Sequence, residues 1–398
     1  MYKFLILILI FSINSFAYTF KDALKAISNH ESVDAISKDA LAIKEQADVS
    51  GSWGDPMLKL AAKNFPVESL ANDKAPMTGV ELSIAQKIAI TNKYSKMKAA
   101  FINKAKAREF DSFKRKDLLI KDLWMVLIES RKLNEERKIL KENFQWIQKN
   151  LKITKKLYSN GKLSQQALLD VQIRKSELQT EISNKSYELR ELSAKLNYLV
   201  DAKGLLDTRT IPWNVLSSNS NKREDYSELA FKSNLKASEN LLASSKLNYV
   251  PDLTVSVGYT KRSDVFDNGD FVSASISFPI PTSDTKYSNH SKASYEKIRS
   301  ANQLADYKKY KMSKKQEISL SIKKTKNEIS TLKSETLKFA ENSRKVTSKS
   351  YELGETGYIE LLKSELKLQT LLLKKTMLRA KLAVSQINLK FLLGESLQ

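Results

Sequence analysis

Two histidines and no cysteine leave this chain little with which to do metal or covalent chemistry. His30 and His290 sit in opposite halves, each in polar sequence, and neither has a partner at His-x-x-His spacing. A metal site is therefore not expected. Without Cys there is no disulfide, no thiolate ligand and no lipid-modified N-terminal cysteine. A Gly-rich phosphate loop and a nucleophile elbow are both missing. No catalytic constellation emerges, the chain does not read as an enzyme, and no cofactor is implied. What it has in quantity is charge: 67 Lys and Arg against 45 Asp and Glu, a net +22. The cations are spread along helical faces rather than gathered in a block. They read as solvated helix faces, or as a surface for an anionic partner such as nucleic acid or membrane.

The elements that must carry these residues begin with an export signal. Lys3 is a short positive region, 4–13 is apolar apart from Ser12, and Ser15-Phe16-Ala17 offers small residues where a signal peptidase reads. This predicts a signal peptide over 1–17 with cleavage after Ala17. The apolar run is shorter than the roughly 20 residues a membrane-spanning helix needs, and no later stretch approaches that length. Export also weakens the nucleic-acid reading, and no nucleic-acid partner is expected.

The mature chain reads as two copies of one plan. Asp55-Pro56-Met57-Leu58 answers Val250-Pro251-Asp252-Leu253, and Val80-Glu81-Leu82-Ser83-Ile84 answers Val272-Ser273-Ala274-Ser275-Ile276. Tyr158-x-x-Gly161 with Leu168-Leu169 answers Tyr351-x-x-Gly354 with Leu361-Leu362, all at offsets of 192 to 195 residues. Three matches in order indicate duplication. The organisation expected is a first repeat over 18–200, an insertion over 201–224 containing Gly204, Pro212 and 217–221, and a second repeat over 225–398.

Each half holds a pair of candidate strands. Leu253, Val255, Val257 and Tyr259 alternate with Thr254, Ser256, Gly258 and Thr260. Val272, Ala274, Ile276, Phe278 and Ile280 alternate with Ser273, Ser275 and Ser277. In the first half Val80, Leu82, Ile84, Ile88 and Ile90 oppose Glu81, Ser83, Ala85 and Lys87, and a weaker strand covers 57–65. Loops are expected at 67–78 and at 261–270, with Asn268-Gly269. Period-two alternation places one face in an apolar solvent and one in a polar one. A half-buried sheet of a soluble domain would show the same pattern. Four strands alone cannot close a barrel, and lipid offers no partner to an open edge. Three chains would supply twelve strands, each roughly 9 to 11 residues long, which suits a transmembrane barrel.

Between the strands lie long helices. Residues 92–157 and 286–353 contain neither Pro nor Gly; about 65 helical residues extend ~100 Å. Shorter helices are expected over 20–49 and 224–248. The returning helices carry a step of 3.5. Positions 168, 171, 175, 178, 182, 185, 189, 192, 196 and 199 hold Leu, Val, Lys, Leu, Ile, Lys, Leu, Leu, Leu and Leu. The seam recurs 193 residues later, from Leu361 to Leu392. Each half is thus an antiparallel coiled-coil hairpin turning at Gly161 or Gly354, where glycine tolerates positive φ.

This plan resembles the TolC-type outer-membrane efflux proteins across essentially the whole mature chain. The likeness rests on Pro56 and Pro251 before their strands, on 79–90, on Tyr351-Glu352-Leu353-Gly354, on Glu360-Leu361-Leu362 and on Leu392-Leu393-Gly394-Glu395. Gln86-Lys87-Ile88 with Lys93 looks like the branch serving heavy-metal and multidrug pumps. The resemblance implies a mainly α protein with a transmembrane β-barrel. A homotrimer would share a twelve-strand barrel in outer-membrane lipid and an α-helical tunnel across the periplasm. It would be a passive duct for efflux or type I secretion, working with a periplasmic adaptor and an inner-membrane pump. It also implies a gate at the tip of the last hairpin, with Tyr351 at the aromatic position and Glu360 at the first acidic one. Lys363 stands where a second acid is usual, and Thr356 where some members carry a base. The rival readings are a periplasmic adaptor, which has one hairpin between Gly-rich β-domains, and a coiled-coil structural protein of the envelope.

Overall fold

The computed structural model describes residues 18–201, 206–216, 224–262, 269–280 and 282–398. The expected signal peptide (1–17), Gly204 and 217–221 of the expected insertion, and Asn268 of the expected loop lie outside the described residues. Each half runs helix, hairpin, long helical hairpin. The first contains α1 (Phe20–Ser28), α2 (Glu31–Gly51), β1 (Met57–Lys63), β2 (Gly79–Ile88), α3 (Lys93–Ser159) and α4 (Gln165–Val200). The second contains α5 (Tyr226–Leu247), β3 (Leu253–Arg262), β4 (Phe271–Ser277), α6 (Thr285–Thr331), α7 (Leu337–Leu353) and α8 (Tyr358–Leu393). Among the described residues of 201–224 there are two short 3-10 helices, Thr208–Thr210 and Trp213–Leu216.

Several boundaries differ from the sequence expectation, each for a local reason. The single helix expected over 20–49 is two, broken at Asn29-His30. Asn29 closes α1 through its backbone N–H, and His30 Nδ1 accepts the N–H of Ser32 at 3.1 Å, serving the start of α2. The edge strands are seven residues long, not nine to eleven. β1 ends where Asn64 turns to φ 55°, and β4 ends just before Phe278-Pro279, where proline has no N–H for a ladder. The uninterrupted helix expected over 286–353 contains a π-helical turn at Leu332–Thr336, between α6 and α7.

The described residues group into two compact units, each drawing on both halves of the chain. One lies within 1–33, 114–225 and 310–398, the other within 34–113 and 226–309. The first unit is helical. Its largest apolar cluster gathers Phe20, Ile27, Leu119, Ile120, Leu123 and Trp124 with Val200, Ile387 and Leu397. Trp124 is fully buried, meets the edge of Trp213, and donates its Nε1–H to the Leu397 carbonyl at 2.8 Å, so its one polar atom is satisfied. All ten seam positions of α4 and all ten of α8 are buried or half-buried. The 3.5-residue step thus marks the faces that pack.

The second unit holds the sheet, with strand order β1-β2-β3-β4 and every neighbouring pair antiparallel. Its helices meet through Arg108–Asp39 at 2.5 Å, the Phe231–Tyr307 ring pair and a Ser238–Ser300 hydroxyl bond.

Candidate functional site

The sheet separates its two chemistries by register. On one face a row crosses all four strands as Leu60, Leu82, Tyr259 and Val272; the next runs Leu58, Ile84, Val257 and Ala274. On the other face the rows are Lys59, Ser83, Gly258, Ser273 and Ala61, Glu81, Thr260, Phe271. The apolar face is bare on all four strands, and on the central strands burial is inverted relative to a water-soluble sheet. Leu60 is 73% exposed and Val272 77%, whereas Glu81 is 7% and Ser83 8% exposed. A bare apolar face of this size is unfavourable in water by about 25 cal/mol per Å². Among the described residues the sheet ends in two edge strands, β1 and β4, with no further strand beside them. An apolar solvent on one face and closure by further strands would resolve both.

Where the polar face meets the helices, one carboxylate holds several donors. Asp252 is buried and receives Lys93 Nζ at 2.8 Å, Lys87 Nζ at 3.1 Å and the Tyr94 hydroxyl at 2.9 Å. Lys93 is itself buried. This knot ties the start of β3 to the end of β2 and the first turn of α3. Sequence reasoning noted Lys87 and Lys93 and missed Asp252.

The turn residues form the second candidate site. Gly161 and Gly354 have φ of 71° and 80° and end α3 and α7 in the same way. In each, the residue after the glycine donates back five positions: Lys162 N–H to the Leu157 carbonyl, Glu355 N–H to the Ser350 carbonyl, both at 2.9 Å. A Cβ would force either glycine into a costly conformation.

The three residues expected at a gate are not alike. Glu360 and Lys363 are exposed on the first turns of α8. The Glu360 carboxylate folds over Gly357, near the N-terminal end of α8, where an anion is favoured. Tyr351 instead points inward and is only 1% exposed. It packs with Tyr358 and Leu361 against Leu140, Ile147, Val171 and Leu178. Its hydroxyl lies 2.9 Å from Thr154 Oγ1. Thr154 already donates to the Asn150 carbonyl at 2.8 Å, so Tyr351 is the donor. Burial pushes both phenols up: Tyr351 somewhat, and Tyr358 to about 12, with the Asp170 carboxylate adding to the effect. In this conformation Tyr351 fastens the second turn to the first hairpin and presents no ring to a surface.

Beside this cluster lies a buried polar network. The Gln369 side-chain oxygen accepts from Asn143 at 2.6 Å and from Arg174 at 2.7 Å, and Arg174 also bonds Glu177 and Glu181. Glu365 is 2% exposed, with Arg344 at 3.5 Å. Burial raises its pKa, and the Arg344 charge opposes that rise. The sequence reading singled out none of Tyr358, Glu365 and Thr154; Tyr358 lies one residue off the seam, whose alternating steps put the position before Leu361 at Gly357.

Among the described residues no three His, Asp or Glu side chains gather as a metal site. No helix among them is long and apolar enough to cross a membrane. His30 has its capping role, and His290 Nδ1 lies 3.3 Å from Ser245 Oγ beside the Tyr249 ring.

No family model matches the chain, and no curated protein matches it either. Solved structures do. The chain is similar to CusC, a transmembrane-channel protein, with a TM-score of 0.77 and 14% identity over 96% of this chain and 94% of that one. VceC, an outer membrane protein of Vibrio cholerae, gives 0.77 and 16% over 95% and 96%. CmeC, an outer membrane channel of Campylobacter jejuni, gives 0.74 and 12% over 95% and 86%. At such identities the likeness is one of fold. The fold is that of the TolC-type outer-membrane channels: long helical hairpins with a four-stranded antiparallel sheet in each chain.

Proposed function

We propose that this protein is an outer-membrane exit duct, exported by its signal peptide, that passes solutes passively out of the cell. The observation that carries the reading is the sheet, whose apolar face is bare while Glu81, Ser83 and Thr260 at the centre of its polar face are buried, and whose edge strands pair with no further strand among the described residues. Three copies pair β1 of one with β4 of the next, and twelve strands close around the polar face. Each backbone group then finds a partner, and the apolar face meets lipid. The helical hairpins continue the duct through the periplasm. There it works with an adaptor and an inner-membrane pump, which supplies the energy and selects the cargo. The adaptor reading has no support in a chain with two hairpins and one inverted sheet.

In this reading the second turn is the gate. Three Glu360 carboxylates, exposed beside Gly357, form an anionic ring at the tip, and Lys363 replaces a second ring with cations. Tyr351 is the fastener that holds the turn in place from behind.

One preparation tests both points. Full-length protein made in a Gram-negative host should fractionate with the outer membrane and run as a detergent-stable trimer. Recovery as a soluble periplasmic monomer would overturn the duct. In planar bilayers, trivalent cations should block the wild-type channel and lose their effect in Glu360→Ala. Equal block of both removes Glu360 from the gate.

A further inference from the structure

The polar face of the sheet is not merely hydrophilic; its charges are nearly all of one sign. Along the four strands this face carries Lys59, Lys63, Lys87 and Arg262 against Glu81 alone. β4 contributes only Ser273, Ser275 and Ser277 beside Phe271, and β3 only Thr254, Ser256, Gly258 and Thr260 before Arg262.

The few carboxylates are already committed. Glu81 ion-pairs with Lys63 and lies diagonally between Lys59 and Lys63 on the adjacent strand, so one anion faces two cations. Its side chain is 9% exposed, while that of Lys63 is 41% exposed. At the base of the sheet Asp252 is shared between Lys87 and Lys93; its side chain is 8% exposed against 48% for Lys87. At both levels a carboxylate is withdrawn and an ammonium remains in solvent. Lys59 is exposed in the same row as Ser83 and Ser273, and its one acidic neighbour is the diagonal Glu81, which is already ion-paired with Lys63.

We infer that the polar face of this sheet is an anion-preferring surface, and that the barrel favours solutes bearing carboxylate, phosphate or sulfate groups. The inference rests on the duct reading, in which this face lines the lumen. Closing three copies brings three lysines of each kind to the same height. Low-dielectric walls focus such a field into the pore and raise the local concentration of counter-ions. Serine and threonine hydroxyls between the lysines offer hydrogen bonds to anionic oxygens without adding charge.

The test is ion selectivity of the full-length protein in planar bilayers under a potassium chloride gradient. Lys59→Glu should lower the chloride-over-potassium permeability ratio severalfold relative to wild type, and Lys59→Gln should lower it by less. Glu360 is intact in all three, so the change reports on the sheet alone. The wild-type ratio should also fall toward unity between 0.1 M and 1 M salt, as the Debye length shrinks from about 10 Å to about 3 Å. That arm needs no variant to fold. Channels whose selectivity is the same in wild type and both variants overturn the inference and leave the duct standing. Folded protein that forms no channel overturns the duct, and the inference with it.

Discussion

The two helical turns share a motif and differ in what holds them. Both read Tyr-x-x-Gly, both place the glycine at positive φ, and both close with the same backward hydrogen bond. Tyr158 is nonetheless 41% exposed, whereas Tyr351 is 1% exposed and bonded to Thr154 of the first hairpin. The helix after the first turn is capped by Ser164, whose side chain accepts the Ala167 N–H. The helix after the second begins at Gly357 with no side-chain cap. The first turn therefore has a local side-chain cap in addition to the packing of Leu157 and Leu163, whereas the second relies on packing without such a cap. A turn fixed locally stays put when neighbours move. One fixed by tertiary contact can be released, which is what a gate requires.

The largest expected effect separates the two tyrosines. Tyr351→Ala empties a buried aromatic site and should destabilise the helical unit by about 3–5 kcal/mol, while Tyr158→Ala should stay within about 0.5 kcal/mol. Denaturant titration would show it, and equal losses would erase the distinction between the turns. Next comes Glu365, whose counterpart one repeat earlier is the exposed Gln172. Burial raises the Glu365 pKa above its ordinary 4.5, so the folded chain binds this proton more tightly than the unfolded one. That contribution to stability is fully present below the ordinary value and is lost as pH rises through the raised one. Wild type should thus lose more stability between pH 4 and pH 8 than Glu365→Gln; parallel pH profiles would remove Glu365 from the account. The smallest effect concerns the caps. Ser164→Ala should cost about 1 kcal/mol or less, and Gly357→Ser should add a few tenths to the second hairpin. Amide exchange in the first turns of α4 and α8 would register both, and opposite signs would break the comparison.

Much of this was legible in the residues. The period-two alternation predicted both faces of the sheet, the seam predicted the packed sides of α4 and α8, and the two glycines predicted the turns. The inward position of Tyr351 was not legible, because Tyr158 sits in the same motif and points outward. Only the neighbouring hairpin, supplying Thr154, Leu140 and Ile147, distinguishes them. The withdrawal of Glu81 and Asp252 beneath lysines was hidden for the same reason: ion pairing across strands depends on register, which a linear pattern does not fix.

The π turn at Leu332–Thr336 has a consequence in the history of the chain. Gly161 follows Val80 by 81 positions, and Gly354 follows Val272 by 82. After duplication one copy thus gained, or the other lost, a single residue between strand and turn. In an unbroken α-helix one extra residue rotates everything beyond it by about 100° and carries the apolar stripe off its partner. A widened i to i+5 turn swallows the addition in one loop of backbone. Downstream, the seam from Leu361 stands where the seam from Leu168 does, and the two returning helices remain in phase although the two repeats differ in length by one residue.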